Sequence, residues 1–234
     1  MNLTRFFQQK AGVLLLSFFG MLSLCAHAGG IVLGGTRIIY PQDSRQQSVS
    51  VHNTDKKLTF LVQSWVEDSD GRKSKDFVVT PPLFASGPNN ENMLRLVYTG
   101  GELPRDRESL YFFNAKAIPS IDKKALEGKN ALMLATVTRI KLFVRPDGLK
   151  MQPDAAPAAL RFRIEGKSLS ISNTTPYYLT ITNLKSGTTA LSDVMVAPKS
   201  HSSVALPGGA GGDITFSTIN DYGGITPAQK GVMH

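Results

Sequence analysis

One stretch limits the options of this chain more than any other. Residues 131 to 146, ALMLATVTRIKLFVRP, read as a single β-strand from Ala131 to Val144, far longer than the usual strand of about six residues. Successive side chains of a strand point to opposite faces. Leu132, Leu134 and Thr136 therefore share one side, and Met133, Ala135 and Val137 the other. Both sides are largely apolar, so both need cover. Two solutions are open: a central strand buried on both faces, or an edge kept free for a foreign strand. Edges normally carry charge or proline against such pairing, and Ala131 to Val137 carries neither.

The remainder is strand-built too. No long 3.6-residue periodicity survives beyond the N-terminal apolar run, and short β-rich runs alternate with turn residues. The runs Ile31–Tyr40, Gln47–Asn53, Leu58–Glu67, Phe77–Val79, Met93–Tyr98 and Ser109–Ile118 precede the long strand. Turn signals such as Asp70-Gly71 and Gly87-Pro88-Asn89-Asn90 separate them, and this spacing predicts an antiparallel sandwich. A proline-bearing stretch from Asp147 to Pro157 reads as a linker. A second series follows: Leu160–Ile164, Ser168–Asn173, Tyr178–Leu184, Thr189–Val196, Ser202–Leu206 and Asp213–Asn220. The chain thus reads as all-β, with two sandwich domains joined end to end.

The N-terminus carries Arg5 and Lys10, an apolar run from Ala11 to Cys25, then Ala26-His27-Ala28. That order of basic, apolar and small residues is a cleavable export leader. Residues 1–28 are expected to be removed, leaving domains at 29–150 and 151–234. The one cysteine leaves with the leader, so the mature chain has no disulfide, thiol nucleophile or thiolate metal site. Its stability must come from its hydrophobic core.

Catalytic parts are missing. His52, His201 and His234 have no metal-like spacing. Glu67 to Gly71 starts like a calcium loop, but Arg72, Lys73 and Lys75 stand where ligands would follow. Gly208 to Gly212 lacks the Lys-Ser/Thr of a phosphate loop. Nothing assembles a nucleophile, base and orienting acid, and scattered bases without a block argue against nucleic acid. No enzyme activity, metal or cofactor is expected. Two bases do stand out: Arg37 and Lys141 lie inside apolar strands. Such cations cost desolvation unless something negative meets them. Snorkelling to water, or pairing with an internal acid such as Asp43 or Glu67, would satisfy that need.

Several motifs together resemble a known family. Leu103-Pro104-Arg105-Asp106-Arg107-Glu108-Ser109-Leu110-Tyr111-Phe112-Phe113-Asn114, running to Ile118-Pro119-Ser120, resembles the signature of the periplasmic pilus-assembly chaperones, the PapD-like family. Gly35-Thr36-Arg37-Ile38-Ile39-Tyr40-Pro41 and Lys141-Leu142-Phe143-Val144-Arg145-Pro146 do so as well. Thr175 to Thr180 and Thr218 to Gly224 are similar to its type 1 pilus branch. Ala115 departs from the signature, and Thr136 replaces an aliphatic residue usual on the subunit-binding strand.

The resemblance implies two immunoglobulin-like domains set in an L with a cleft between them. It implies a non-enzymatic periplasmic chaperone that lends a strand to pilus (fimbrial) subunits and delivers them to an outer-membrane usher without nucleotide. Leu132, Leu134 and Thr136 would enter the subunit's groove. Arg37 and Lys141 would bind its C-terminal carboxylate, and Glu108, Arg145 and Asp221 would form an interdomain salt bridge. The short stretch from Pro119 to Asn130 resembles chaperones of rod-forming pili. Self-association of the free chain through its edge stays open. A structural pilus subunit or adhesin domain is the alternative, but such subunits usually carry a disulfide and an N-terminal donor extension. A carbohydrate-binding or hydrolytic β-protein would need a carboxylate pair or an aromatic platform.

Overall fold

The computed structural model describes residues 29–120, 133–208 and 211–234. The first domain is a sandwich of two sheets. One holds β1 (Ile31–Leu33), β3 (Gln47–Asn53), β7 (Glu91–Tyr98) and β5 (Phe77–Thr80), in the order β1-β3-β7-β5. The other holds β2 (Arg37–Pro41), β9 (Thr136–Arg145), β8 (Ser109–Pro119), β4 (Phe60–Glu67) and β6 (Leu83–Ser86), in the order β2-β9-β8-β4-β6. The period of two builds this core. Along β4, Phe60, Val62, Ser64 and Val66 turn inward while Leu61 and Gln63 face solvent. Tyr40, Val51, Val62, Leu96, Phe113 and Leu142 are fully buried between the sheets, and a fully buried Val or Leu contributes roughly 1.5–3 kcal/mol.

The expected strand Ile31–Tyr40 is two strands on different sheets. β1 pairs with β3, the chain breaks at Gly34-Gly35-Thr36, and β2 joins β9 in parallel. Hydrophobicity is continuous across that break, so periodicity alone hides it. β6 was not anticipated either, because Pro81-Pro82 directly precedes it. Phe112 and Trp65 lie on the outer sheet face, whereas Phe113 is core.

The second domain stacks two further sheets. One has the order β15-β11-β10-β18, with β15 at Ser200–Ala205, β11 at Ser168–Asn173, β10 at Arg161–Glu165 and β18 at Val232–Met233. The other has the order β13-β12-β16-β17, with β13 at Thr189–Ala190, β12 at Leu179–Ser186, β16 at Ile214–Thr218 and β17 at Gln229–Lys230. β14 (Val194–Val196) also pairs with β12. Phe162, Leu169, Ile171, Ile181, Leu184 and Val196 form its core. The stretch read as a loose linker is packed instead. Residues Pro153–Ala159 form a 3-10 helix whose Ala156 and Pro157 are buried, and Leu149 and Met151 rest on the second core.

The long strand is buried over one half of its length and open over the other. From Lys141 to Val144, β9 lies between β2 and β8. From Thr136 to Ile140 its one strand partner among the described residues is β8, because β2 begins only at Arg37, opposite Lys141. Central and edge characters thus share one strand. It is shorter than expected: Met133, Leu134 and Ala135 carry no ladder, since the last partner pair is Thr136 with Ala117. Ala131 and Leu132 lie outside the described residues.

Candidate functional site

The free half of β9 ends at a pair of cations. Arg37 opens β2 and Lys141 sits beside it in the parallel register. Neither pairs with an acid among the described residues. Asp43 is taken by Arg105 at 3.4 Å and Glu67 by Arg139 at 2.9 Å, so the internal partners considered from sequence are used elsewhere. Arg37 donates from one terminal nitrogen to the Ile219 carbonyl at 3.1 Å, and its Nε is buried without a partner. Lys141 Nζ donates to Thr180 Oγ1 at 2.9 Å. Burial lowers the pKa of Arg37, opposed by the more distant charges of Asp221 and Glu108. Burial also lowers that of Lys141, and Arg37's charge adds to the effect. Two half-buried cations side by side, bonded among the described residues only to neutral oxygens, form a site that favours an anion.

The rest of the site lies where the domains meet. Arg145, the last residue of β9, holds Asp221 with two bonds of 2.6 and 2.7 Å and Glu108 with one of 2.7 Å. Glu108 is almost fully buried, and burial raises its pKa against the pull of Arg145. Its second oxygen accepts from the Tyr178 backbone N–H at 2.8 Å, and its own N–H donates to the Pro176 carbonyl. The loop presenting these groups is set by Asn173, whose buried amide donates to the Tyr177, Val196 and Ala197 carbonyls. Phe143 of β9 stacks on Tyr178 at 5.6 Å, and Arg145 lies 5.0 Å over the Tyr177 ring. At the outer rim, Lys199 pairs with Asp106. A cavity of about 250 Å³ lies among Arg37, Phe143, Tyr177, Tyr178 and Asp221.

Two of the three donor residues expected from sequence are described. Leu134 and Thr136 are exposed, and Thr136 lies on the same strand face as Ile140, which enters the core. Met133 and Val137 are exposed as well. Leu132 lies outside the described residues.

Comparison with known proteins identifies the lineage. Residues 30–150 match the family model "Pili and flagellar-assembly chaperone, PapD N-terminal domain", and residues 155–230 match "Pili assembly chaperone PapD, C-terminal domain". The chain belongs to the PapD family of pilus-assembly chaperones. It is 49% identical to the chaperone protein FimC of Escherichia coli K12, over 95% of this chain and 92% of that one. It is 47% identical to the probable fimbrial chaperone SfmC of the same strain, over 93% and 95%. The crystal structure of the periplasmic chaperone SfaE superposes with a TM-score of 0.76 at 45% identity, covering 88% of this chain and all of that one. The SafB chaperone in complex with the Salmonella enterica SafA pilin gives 0.80 at 32% identity, covering 88% and 97%. Both halves are therefore immunoglobulin-like domains of this family.

Several contacts of this PapD-family site escaped the sequence reading. Thr180, the Ile219 carbonyl and the Phe143–Tyr178 stack each join residues of different domains. No spacing marks such pairs. The pairing of Asp106 with Lys199 is equally silent, because no spacing links residues so far apart in the chain.

Proposed function

We propose that this protein is a periplasmic chaperone that captures pilus subunits on the free half of β9 and anchors their C-terminal carboxylate between Arg37 and Lys141. The carrying observation is the pairing of an open ladder with acid-free cations at its foot. An open β-edge accepts a foreign strand through main-chain bonds, the mode in which chaperones complement pilins. The lane beside Thr136–Ile140 is the lane that β2 fills further along. A guest strand in that lane, with its terminal carboxylate at Arg37, runs parallel to β9. Leu134, Thr136 and Leu132 supply the side chains for the guest's groove. The carboxylate sets the register, because a slip of one residue would turn the wrong face inward. Glu108, Arg145 and Asp221 hold the two domains around the guest. Export by residues 1–28, release of Gly29 as the new N-terminus and delivery to an outer-membrane usher complete the reading. The pilin bound by SafB supports this choice of partner. No nucleotide takes part, and subunit folding supplies the driving force.

The test is amide hydrogen exchange on β9 with and without a fimbrial subunit. Thr136 to Ile140 should gain protection in the complex while Leu142 and Val144 stay as they were. Unchanged exchange at Thr136–Ile140 in a verified complex would remove the strand-lending role.

A further inference from the structure

The turn from Asn220 to Ile225 displays two large side chains to solvent, Tyr222 at 95% exposure and Ile225 at 62%. The backbone beneath them is fixed. Asn220 Oδ1 accepts from the N–H groups of Tyr222 at 3.1 Å and Gly224 at 2.8 Å, and Asn220 N–H donates to the Gly224 carbonyl at 2.9 Å. Ile219 and Ile225 close the turn as a bridge. Asp221 is held by Arg145. The turn also touches the first domain. Gly223, at φ +83°, sits so close to Thr36 that a Cβ there would come within 2.1 Å of Thr36 Oγ1.

That contact places the turn relative to the guest. Thr36 is the residue just before β2, at the point where the β2 lane stops and the open lane begins. Arg37, the next residue, bonds to Ile219 at the root of the same turn. The turn thus borders the foot of the open lane, where a guest strand ends. A preset backbone leaves only the two side-chain torsions of the tyrosine to be ordered on binding, and aromatic residues are enriched among those that dominate interface energetics. We propose that Tyr222 and Ile225 form a second contact surface for the pilus subunit, gripping the apolar residues just before its C-terminal carboxylate. This rests on the carboxylate-anchor reading above. It assigns the second domain a direct part in holding the guest, separate from its part in the interdomain ion pairs.

The test uses the mature chain with Tyr222→Ala, Tyr222→Phe, Ile225→Ser and, as control, Arg37→Ala. The probe is a fimbrial subunit with a free C-terminus, diluted from denaturant, with dissociation of the complex as readout. Because Tyr222 is almost wholly solvated, Tyr222→Ala should leave the melting temperature unchanged. It should weaken the complex by about fivefold to thirtyfold, with Tyr222→Phe close to wild type and Arg37→Ala worse than both. Wild-type binding by Tyr222→Ala alongside loss in Arg37→Ala overturns this inference and spares the anchor. A Tyr222→Ala effect confined to self-association, read by sedimentation, overturns it in favour of a second copy. Normal binding by Arg37→Ala overturns the anchor and this inference together.

Discussion

Replacing Lys141 with Met should separate folding from function. In the free protein Lys141 is a half-buried cation beside another cation, with Thr180 Oγ1 as its hydrogen-bond partner. Met keeps most of the aliphatic stem, so packing is largely retained. The change loses one charge-assisted hydrogen bond, worth about 1.5–3 kcal/mol. Against that, it removes the desolvation of the ammonium and its repulsion with Arg37, both of which act against the charged form. These contributions oppose one another, and the net effect on stability should lie within about 1 kcal/mol of zero. For a domain of about a hundred residues that moves the melting temperature by no more than roughly 4–8 °C. The complex has no such compensation. Removing one partner of a desolvated charge pair costs about 2–5 kcal/mol, a rise in Kd from about 30-fold to about 5,000-fold. Thermal unfolding followed by circular dichroism, paired with subunit titration, measures both sides. A drop in melting temperature well beyond 8 °C, or an unchanged Kd, would refute the reasoning, since Lys141 would then be a structural residue or an idle one.

Further outcomes follow from the same geometry. Arg145→Met strands the buried Glu108 carboxylate and frees Asp221, and should destabilise by about 3–5 kcal/mol; adding Glu108→Gln should restore part of that loss in urea unfolding, which purely additive effects would contradict. Subunit affinity should depend on pH through Lys141, whose pKa is lowered in the free protein and would be raised by a bound carboxylate. Binding is then at full strength below the lowered value and weakens as pH rises through it; titrations at several alkaline pH values check this, and Lys141→Met should flatten the dependence. Gly223→Ala forces a side chain into a positive φ and against Thr36, so it should cost about 1–3 kcal/mol of stability, measurable by thermal unfolding.

Much of this molecule was legible because period-two patterning and turn residues are local signals. Ser168–Asn173 alternates strictly between buried and half-buried positions, and the strand lies where the pattern puts it. The break at Gly34-Gly35 was hidden, because a strand that changes sheets keeps its hydrophobicity while its partner changes. The helix at Pro153–Ala159 was hidden by prolines that also mark loops. For the site, Arg37 and Lys141 stood out as charges in apolar strands. The groups that meet them, Thr180 and the Ile219 carbonyl, come from the other domain and leave no trace in spacing. The interdomain grouping of Glu108, Arg145 and Asp221 was legible only through family likeness, as no local rule joins residues so far apart in the chain.

The ten residues of β9 act as a single ruler. Its first five mark out the open lane, the sixth is Lys141 and the tenth is Arg145, each step fixed at about 3.3 Å. An inserted or deleted residue within Thr136–Arg145 would shift the half of β9 without β2, the Lys141 position beside Arg37 and the Arg145 ion pairs against one another at once. Length inside this strand is therefore constrained by its partners on both sides, whereas Met133 to Ala135 carry no ladder that an added residue would displace.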